Sequence, residues 1–174
     1  MTIPSDPRPG DLLVSAGRPS VAFYPPGTVH GPRELDRFEF AWVLQGSAEW
    51  WSGRLRHNLT PGSLLLVRPG MRDQFRWDAR RPGRLGHVQF DLAGGGETAG
   101  WPVLRAAGPD DPLRGLTRYL LWLGSREPEG WSAAAERWSA ATRGALGLLL
   151  TLFVAGPLPV GMPDTGLPPA LEPV

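Results

Sequence analysis

The sequence predicts a mainly β chain: a small antiparallel barrel followed by two α-helices. Two Pro-Gly pairs, Pro61-Gly62 and Pro69-Gly70, fall within ten residues, and each launches a short segment of strand-forming residues. Proline presets φ for a turn and glycine supplies a positive φ, so two tight reversals lie close together. From about residue 12 to about residue 92 the apolar pattern alternates at period two, and beyond Asp111 it recurs at helical spacing. Glycine and proline are abundant, 23 and 20 of 174 residues, which suits many turns.

The elements follow in order. Phe38, Phe40, Trp42 and Leu44 share one face of a strand, and Glu39, Ala41, Val43 and Gln45 share the other. Gln45-Gly46-Ser47 turns the chain. Ala48 to Trp51 and Leu55 to Leu59 flank Ser52-Gly53, read as a two-residue hairpin. Leu64 to Val67 is a strand between the two Pro-Gly turns. Met71, Asp73, Phe75 and Trp77 then lie on one face of the next strand, with Arg72, Gln74 and Arg76 on the other. Asp78 to Gly83 is a charged loop, and Leu85 to Leu92 is a further strand that ends at Gly94-Gly95-Gly96. Strands of this length at this spacing suit a sandwich or barrel.

Asp111-Pro112 starts the helical part, because Asp accepts from free backbone N–H groups and Pro fits the first helical position. Leu113, Leu116, Leu120 and Leu123 recur at helical spacing, and Gly124 is read as the stop. A second helix is expected from Trp131 to Phe153. Its last turns, Leu146 to Phe153, are apolar almost all round, so every side needs cover. The barrel covers one face, and a second copy of the chain is expected on the other, through Leu146, Leu149, Leu150 and Phe153. Gly144 and Gly147 each cost about 1 kcal/mol against Ala in a helix, which suits the close approach of another backbone. The competing reading is that the barrel's own loops cover this helix.

Composition removes several classes. There is no cysteine, which excludes disulfides, thiolate catalysis and cysteine-based zinc sites. All 18 basic residues are Arg, so no lysine Schiff base or P-loop lysine exists. The net charge of +1 gives no general pull on nucleic acid. The apolar stretch Ala145 to Ala155 is too short for a membrane span, and the polar, Pro-rich Met1 to Gly10 does not read as a secretory signal. The cytoplasm is the expected location. Residues 54 to 84 hold eight arginines against Asp73 and Asp78. These arginines alternate outward along strands, as on a solvated sheet face, with Glu34, Asp36, Glu39 and Glu49 as candidate partners.

Three runs carry a resemblance: Phe38-Glu-Phe-Ala-Trp-Val-Leu-Gln-Gly-Ser47, Leu59-Thr-Pro-Gly-Ser-Leu-Leu-Leu-Val-Arg-Pro-Gly70 and His87-Val-Gln-Phe90. In order and spacing they resemble the N-terminal effector-binding and dimerisation domain of AraC-type transcription regulators, over about residues 20 to 174. The resemblance implies a cupin-like double-stranded β-helix, or jelly-roll, barrel followed by two helices, the second of which pairs between subunits. It divides the chain into a barrel at 1–105, a helical dimerisation segment at 106–155 and a linker at 156–174. DNA contact is expected only through a DNA-binding half that would follow Val174. Cupin enzymes carry a metal on histidines and a glutamate of the barrel; here Trp42 to Trp51 has no His, and Asp73 stands where the last metal histidine would be. His30, His57 and His87 lack paired spacing, so no metal and no cofactor are expected.

The candidate ligand residues are Asp73, Phe75, Trp77, His87 and His30. Two aromatics and a carboxylate on one face suit a sugar-like or other polar organic effector, with stacking for area and the carboxylate for orientation. The resemblance places His87 and Phe75 at positions that contact the effector in sugar-binding members, with His30 near a third. Leu85 matches another such position but cannot supply its hydrogen bond. Plain alternatives stand beside each: Phe75 and Trp77 as barrel core, Asp73 as a turn cap, His87 as a buried hydrogen-bonded histidine, His30 and Arg33 as loop residues. The expected function is effector sensing and homodimerisation without catalysis. A stand-alone cupin enzyme and a ligand-free interaction module are the other readings.

Overall fold

The structure is a computed structural model that describes residues 9–93, 98–126, 128 and 133–156. Among the described residues, a 3-10 turn (Pro9–Leu12) precedes ten strands and two α-helices: β1 (Leu13–Ala16), β2 (Ser20–Tyr24), β3 (Val29–Glu34), β4 (Phe38–Gln45), β5 (Ala48–Ser52), β6 (Leu55–Leu59), β7 (Ser63–Val67), β8 (Arg72–Trp77), β9 (Gly83–Leu92), β10 (Leu104–Ala106), α1 (Pro112–Arg126) and α2 (Ala133–Ala155). A six-stranded sheet runs β1-β9-β4-β7-β10, with β2 also paired to β9, and a four-stranded sheet runs β3-β8-β5-β6. All pairings are antiparallel. The two sheets make the expected jelly-roll barrel, and the helices lie on the outer face of the larger sheet.

This layering explains the burial of the middle strands. Residues 39–43 of β4 and all five residues of β7 are buried on both sides. Ala41, Val43, Leu65, Val67 and Leu85 face the barrel interior with Trp50, Phe75 and Trp77. Phe40, Trp42, Leu64, Leu66, Val88 and Phe90 face outward, against the helices.

Gly62 and Gly70 hold φ of +101° and +79°, as the two Pro-Gly turns require. The β5–β6 reversal differs from expectation. Ser52 pairs with Leu55, so the two turn residues are Gly53 and Arg54. Gly53 takes φ +58° and, among the described residues, no non-glycine residue has a positive φ, the arrangement of a glycine-first hairpin turn. Strands β1 to β3 lie within the alternating stretch but were not assigned one by one, and the three-residue β10 was not expected. Gly94-Gly95-Gly96 and residues 157–174 lie outside the described residues, as does Trp131.

Asp111 caps α1 as expected, accepting from the Leu113 N–H at 2.9 Å. Gly124 does not stop the helix, which continues to Arg126. Its role is a close approach: a Cβ there would lie 1.9 Å from the Pro19 carbonyl oxygen, and the Gly124 carbonyl accepts from Arg18 Nε at 2.6 Å. Alanine normally favours a helix over glycine. Gly124→Ala is nonetheless expected to destabilise by about 1–3 kcal/mol, whereas Gly144→Ala, with nothing within 4 Å, should stabilise by about 0.5–1 kcal/mol. Urea denaturation of both variants checks the opposite signs.

The expected dimer seam is corrected. Leu146, Leu149, Leu150 and Phe153 are each fully buried within one chain, packed with Phe40, Val88, Phe90 and Leu120. The Phe40 and Phe153 rings meet edge-on at 5.1 Å. The N-terminal turn Pro9–Leu12 covers another side of the helix. Gly10 N donates to Thr151 Oγ1, and Gly147 is the close approach, since its Cβ would lie 3.3 Å from the Gly10 carbonyl oxygen. Covering backbone therefore comes from the same chain. By length and composition alone, Ala135–Ala155 could cross a membrane; the apolar stretch inside it spends its fully buried face on the barrel.

Candidate functional site

Strand registers stack the inward residues in layers. Glu39 opposes Gln89 across β4 and β9, and Arg33 opposes Asp73 across β3 and β8. The next layer brings Ala41 opposite His87, His30 opposite Phe75, and Phe75 opposite Trp50. In the third, Val43 opposes Leu85 and Trp77 opposes Ala48. One end of the barrel is therefore charged, the middle aromatic, and the other end apolar.

The charged end centres on Arg33. Its guanidinium donates through Nη2 to Glu39 Oε1 at 2.5 Å and through Nε to Asp73 Oδ1 at 2.9 Å. Both carboxylates are almost fully buried. Trp50 Nε1 donates to Asp73 Oδ2 at 2.9 Å, and Gln89 Nε2 to Glu39 Oε2 at 3.2 Å. A buried carboxylate needs a partner, and the planar five-donor fork of arginine can serve two at once. Burial opposes the Arg33 charge, but hydrogen bonds and attraction from Glu39, then Asp73, outweigh it and hold the guanidinium above its ordinary pKa.

Next to this cluster lie Tyr24, His30 and His87. The Tyr24 and His30 rings are 5.4 Å apart, and His30 lies 6.2 Å from Phe75. Burial, then the Arg33 charge, pushes the His30 pKa below its usual value, and the opposing pull of Asp73 and Glu39 is smaller. Neutral His30 offers one donor and one acceptor at pH 7. Burial raises the Tyr24 phenol, so it stays protonated. Two carboxylates against one guanidinium leave this end formally negative, which favours a ligand rich in hydroxyl or amine donors over an anion.

Four of the five candidate ligand residues, Asp73, Phe75, His30 and His87, come together here. Asp73 does not cap the turn after Gly70; it is an ion-pair and hydrogen-bond hub. Phe75 is fully buried, with the Arg33 guanidinium 5.6 Å from its ring centre. Trp77 departs from the expectation. It is packed in the apolar end, stacked on Tyr24 at 4.8 Å and pressed on Gly83, whose Cβ would fall 1.9 Å from the indole. It forms the floor of the barrel. Arg33, Glu39, Tyr24, Trp50 and Gln89 were missed as site residues. The signal for Glu39 was present: it alternates with Ala41 and Val43, so it shares their inward face. Among the described residues, no group of three or more His, Asp or Glu is placed to hold a metal ion.

A two-sheet barrel with a charged end, an aromatic middle and a helical cover defines a cupin-type ligand-binding domain. The chain belongs to the AraC-like ligand-binding domain family, whose model matches residues 21–134. No curated protein matches the chain. Among solved structures, it is similar to the protein YhaK from Escherichia coli, at 20% identity and TM-score 0.45, over 54% of this chain and 43% of that one. It is also similar to a Cupin 2 conserved barrel domain protein from Salinispora arenicola CNS-205, at 21% identity and TM-score 0.40, over 52% of this chain and 71% of that one. The cupin domain of Cnp3 from Schizosaccharomyces pombe is 15% identical at TM-score 0.41, over 49% and 57%. The chain thus spans less than half of YhaK. At these identities the likeness concerns the barrel fold alone.

Proposed function

We propose that the chain is the small-molecule-sensing module of an AraC-type transcription regulator. In this reading it acts in the cytoplasm as a homodimer, meets DNA only through a separate DNA-binding domain, and catalyses nothing. The membership of residues 21–134 in the ligand-binding family carries the reading, and the hydrogen-bonding end of the barrel supports it. The effector is a neutral or cationic molecule with several donors. Such a molecule meets the partly exposed His30 and His87, and the buried carboxylates of Glu39 and Asp73 behind them favour it electrostatically. Effector binding shifts the regulator only if it favours one arrangement of barrel and helices over another.

Pairing uses the helical surface left exposed. Tyr119, Trp122 and Leu148 are 45%, 46% and 50% exposed, and Tyr119 stacks on Trp122 at 5.8 Å. Sedimentation is expected to show a dimer that Trp122→Arg weakens; a monomer at all concentrations rejects this part.

Titration calorimetry against aldopentoses, aldohexoses, polyols and small amines tests the sensing role. At least one should bind, and His87→Ala should weaken it about five- to tenfold through one lost hydrogen bond, with little change in melting temperature. Binding unaffected by His87→Ala removes His87 from the site, and catalytic turnover of any binder would favour an enzyme.

A further inference from the structure

Outside the barrel, a groove of about 220 Å³ runs between the larger sheet, the turn at Pro61-Gly62 and the first turns of α1. Trp42 and Leu64 form its sheet side, with Leu113, Arg114, Thr117 and Arg118 on the helix side. The lining is mostly apolar and contains no acidic residue. Trp42 is only 4% exposed, and its buried indole N–H has no hydrogen-bond partner. The ring rests on Gly86, whose missing Cβ leaves it room. Arg114 is anchored by donating to the Ala107 carbonyl at 3.0 Å. Arg118 is exposed, and no carboxylate among the described residues pairs with either arginine.

We propose that this groove binds a small organic anion with an apolar body, such as a short carboxylic acid. The combination points that way. Apolar walls favour a hydrocarbon body, and two guanidinium groups that no carboxylate among the described residues pairs with favour a carboxylate. The Trp42 indole, whose buried N–H edge lies against Gly86, forms part of the wall, so its resonance reports on an occupant. This preference is opposite to that of the barrel end, where two carboxylates repel anions, so the two sites take different molecules. A ligand here touches the β4 end, the 61–62 turn and α1 at once, and so ties the helical layer to the sheet.

The test is titration of the whole chain with hexanoate and benzoate, with 1-hexanol as the neutral control. Binding near the millimolar range is expected for ligands of this size. The indole N–H resonance of Trp42, assigned by its loss in Trp42→Phe, should move saturably with hexanoate or benzoate. Arg118→Gln, a surface change that leaves the fold intact, should weaken that binding about three- to fivefold. Calorimetry reads the same ratio without the assignment. His87→Ala should leave it unchanged, which separates this site from the barrel. No saturable response to either acid by about 10 mM, an equal response to 1-hexanol, or an affinity indifferent to Arg118→Gln would overturn the proposal.

Discussion

Leu149→Arg is expected to unfold the domain rather than to separate two copies of it. Leu149 is completely buried, within the cluster that joins α2 to Phe40, Val88 and Phe90. Truncating such a side chain alone costs about 2–5 kcal/mol. An arginine adds a charge in a pocket whose lining residues are apolar, and isolated buried charges are worse than voids. Against a typical total stability of about 5–15 kcal/mol, little or nothing remains. Circular dichroism should show a lost or strongly lowered thermal transition. Leu148→Arg is the control, since Leu148 is half exposed, and a surface change of that kind shifts stability by about 0.5 kcal/mol or less. A Leu149→Arg protein that melts like the wild type would mean that α2 does not pack on the barrel as described.

Arg33→Leu is expected to have the second largest effect. It removes the one cation between Glu39 and Asp73 and leaves two buried carboxylates facing each other. Breaking a buried ion pair from one side costs about 3–5 kcal/mol, and here one side chain serves two partners. Arg33→Lys should recover only part of the loss, because an ammonium cannot reproduce the forked contact. The pH dependence has a defined sign. Burial without a counter-charge favours the protonated carboxyl, so in the variant folding takes up protons. Its penalty relative to wild type should be largest near neutrality and should shrink as the pH falls towards the carboxylate range, about 4–5. Glu39→Gln and Asp73→Asn added to Arg33→Leu should rescue much of the loss at pH 7. Melting curves across pH check this, and a penalty independent of pH would rule out the ion-pair account.

Much of the barrel was legible because its turns announce themselves. Pro61-Gly62 and Pro69-Gly70 fixed β7 and β8, and the alternation in 38–45 fixed β4. The bounds of the first three strands were not legible within the alternating stretch. Pro25, Pro26 and the Gly31-Pro32 pair interrupt them, and their burial is half-hearted because they lie towards sheet edges. The role of the helical layer was legible only in outline. An apolar sequence states that a helix must be covered on all sides; it does not state by whom. Leu146 and Phe153 find Phe40 and its neighbours because the larger sheet presents an apolar outer face, and the alternation of β4 alone did not show that both of its faces are inside. The same ambiguity hid the site. Arg33 lies beyond a proline in an irregular stretch of β3, and only its register opposite Asp73 brings it to Glu39. Charged residues read singly look solvated; three of opposite sign meeting in a barrel do not.

The double burial of residues 39–43 has a consequence of its own. Between the ion-paired chamber and the helical jacket stands a partition one backbone thick, in which Glu39 and Ala41 belong to one room and Phe40 and Trp42 to the other. Glu39 is joined by one peptide bond to Phe40, whose ring meets Phe153. The link between the two rooms is the backbone of β4 itself.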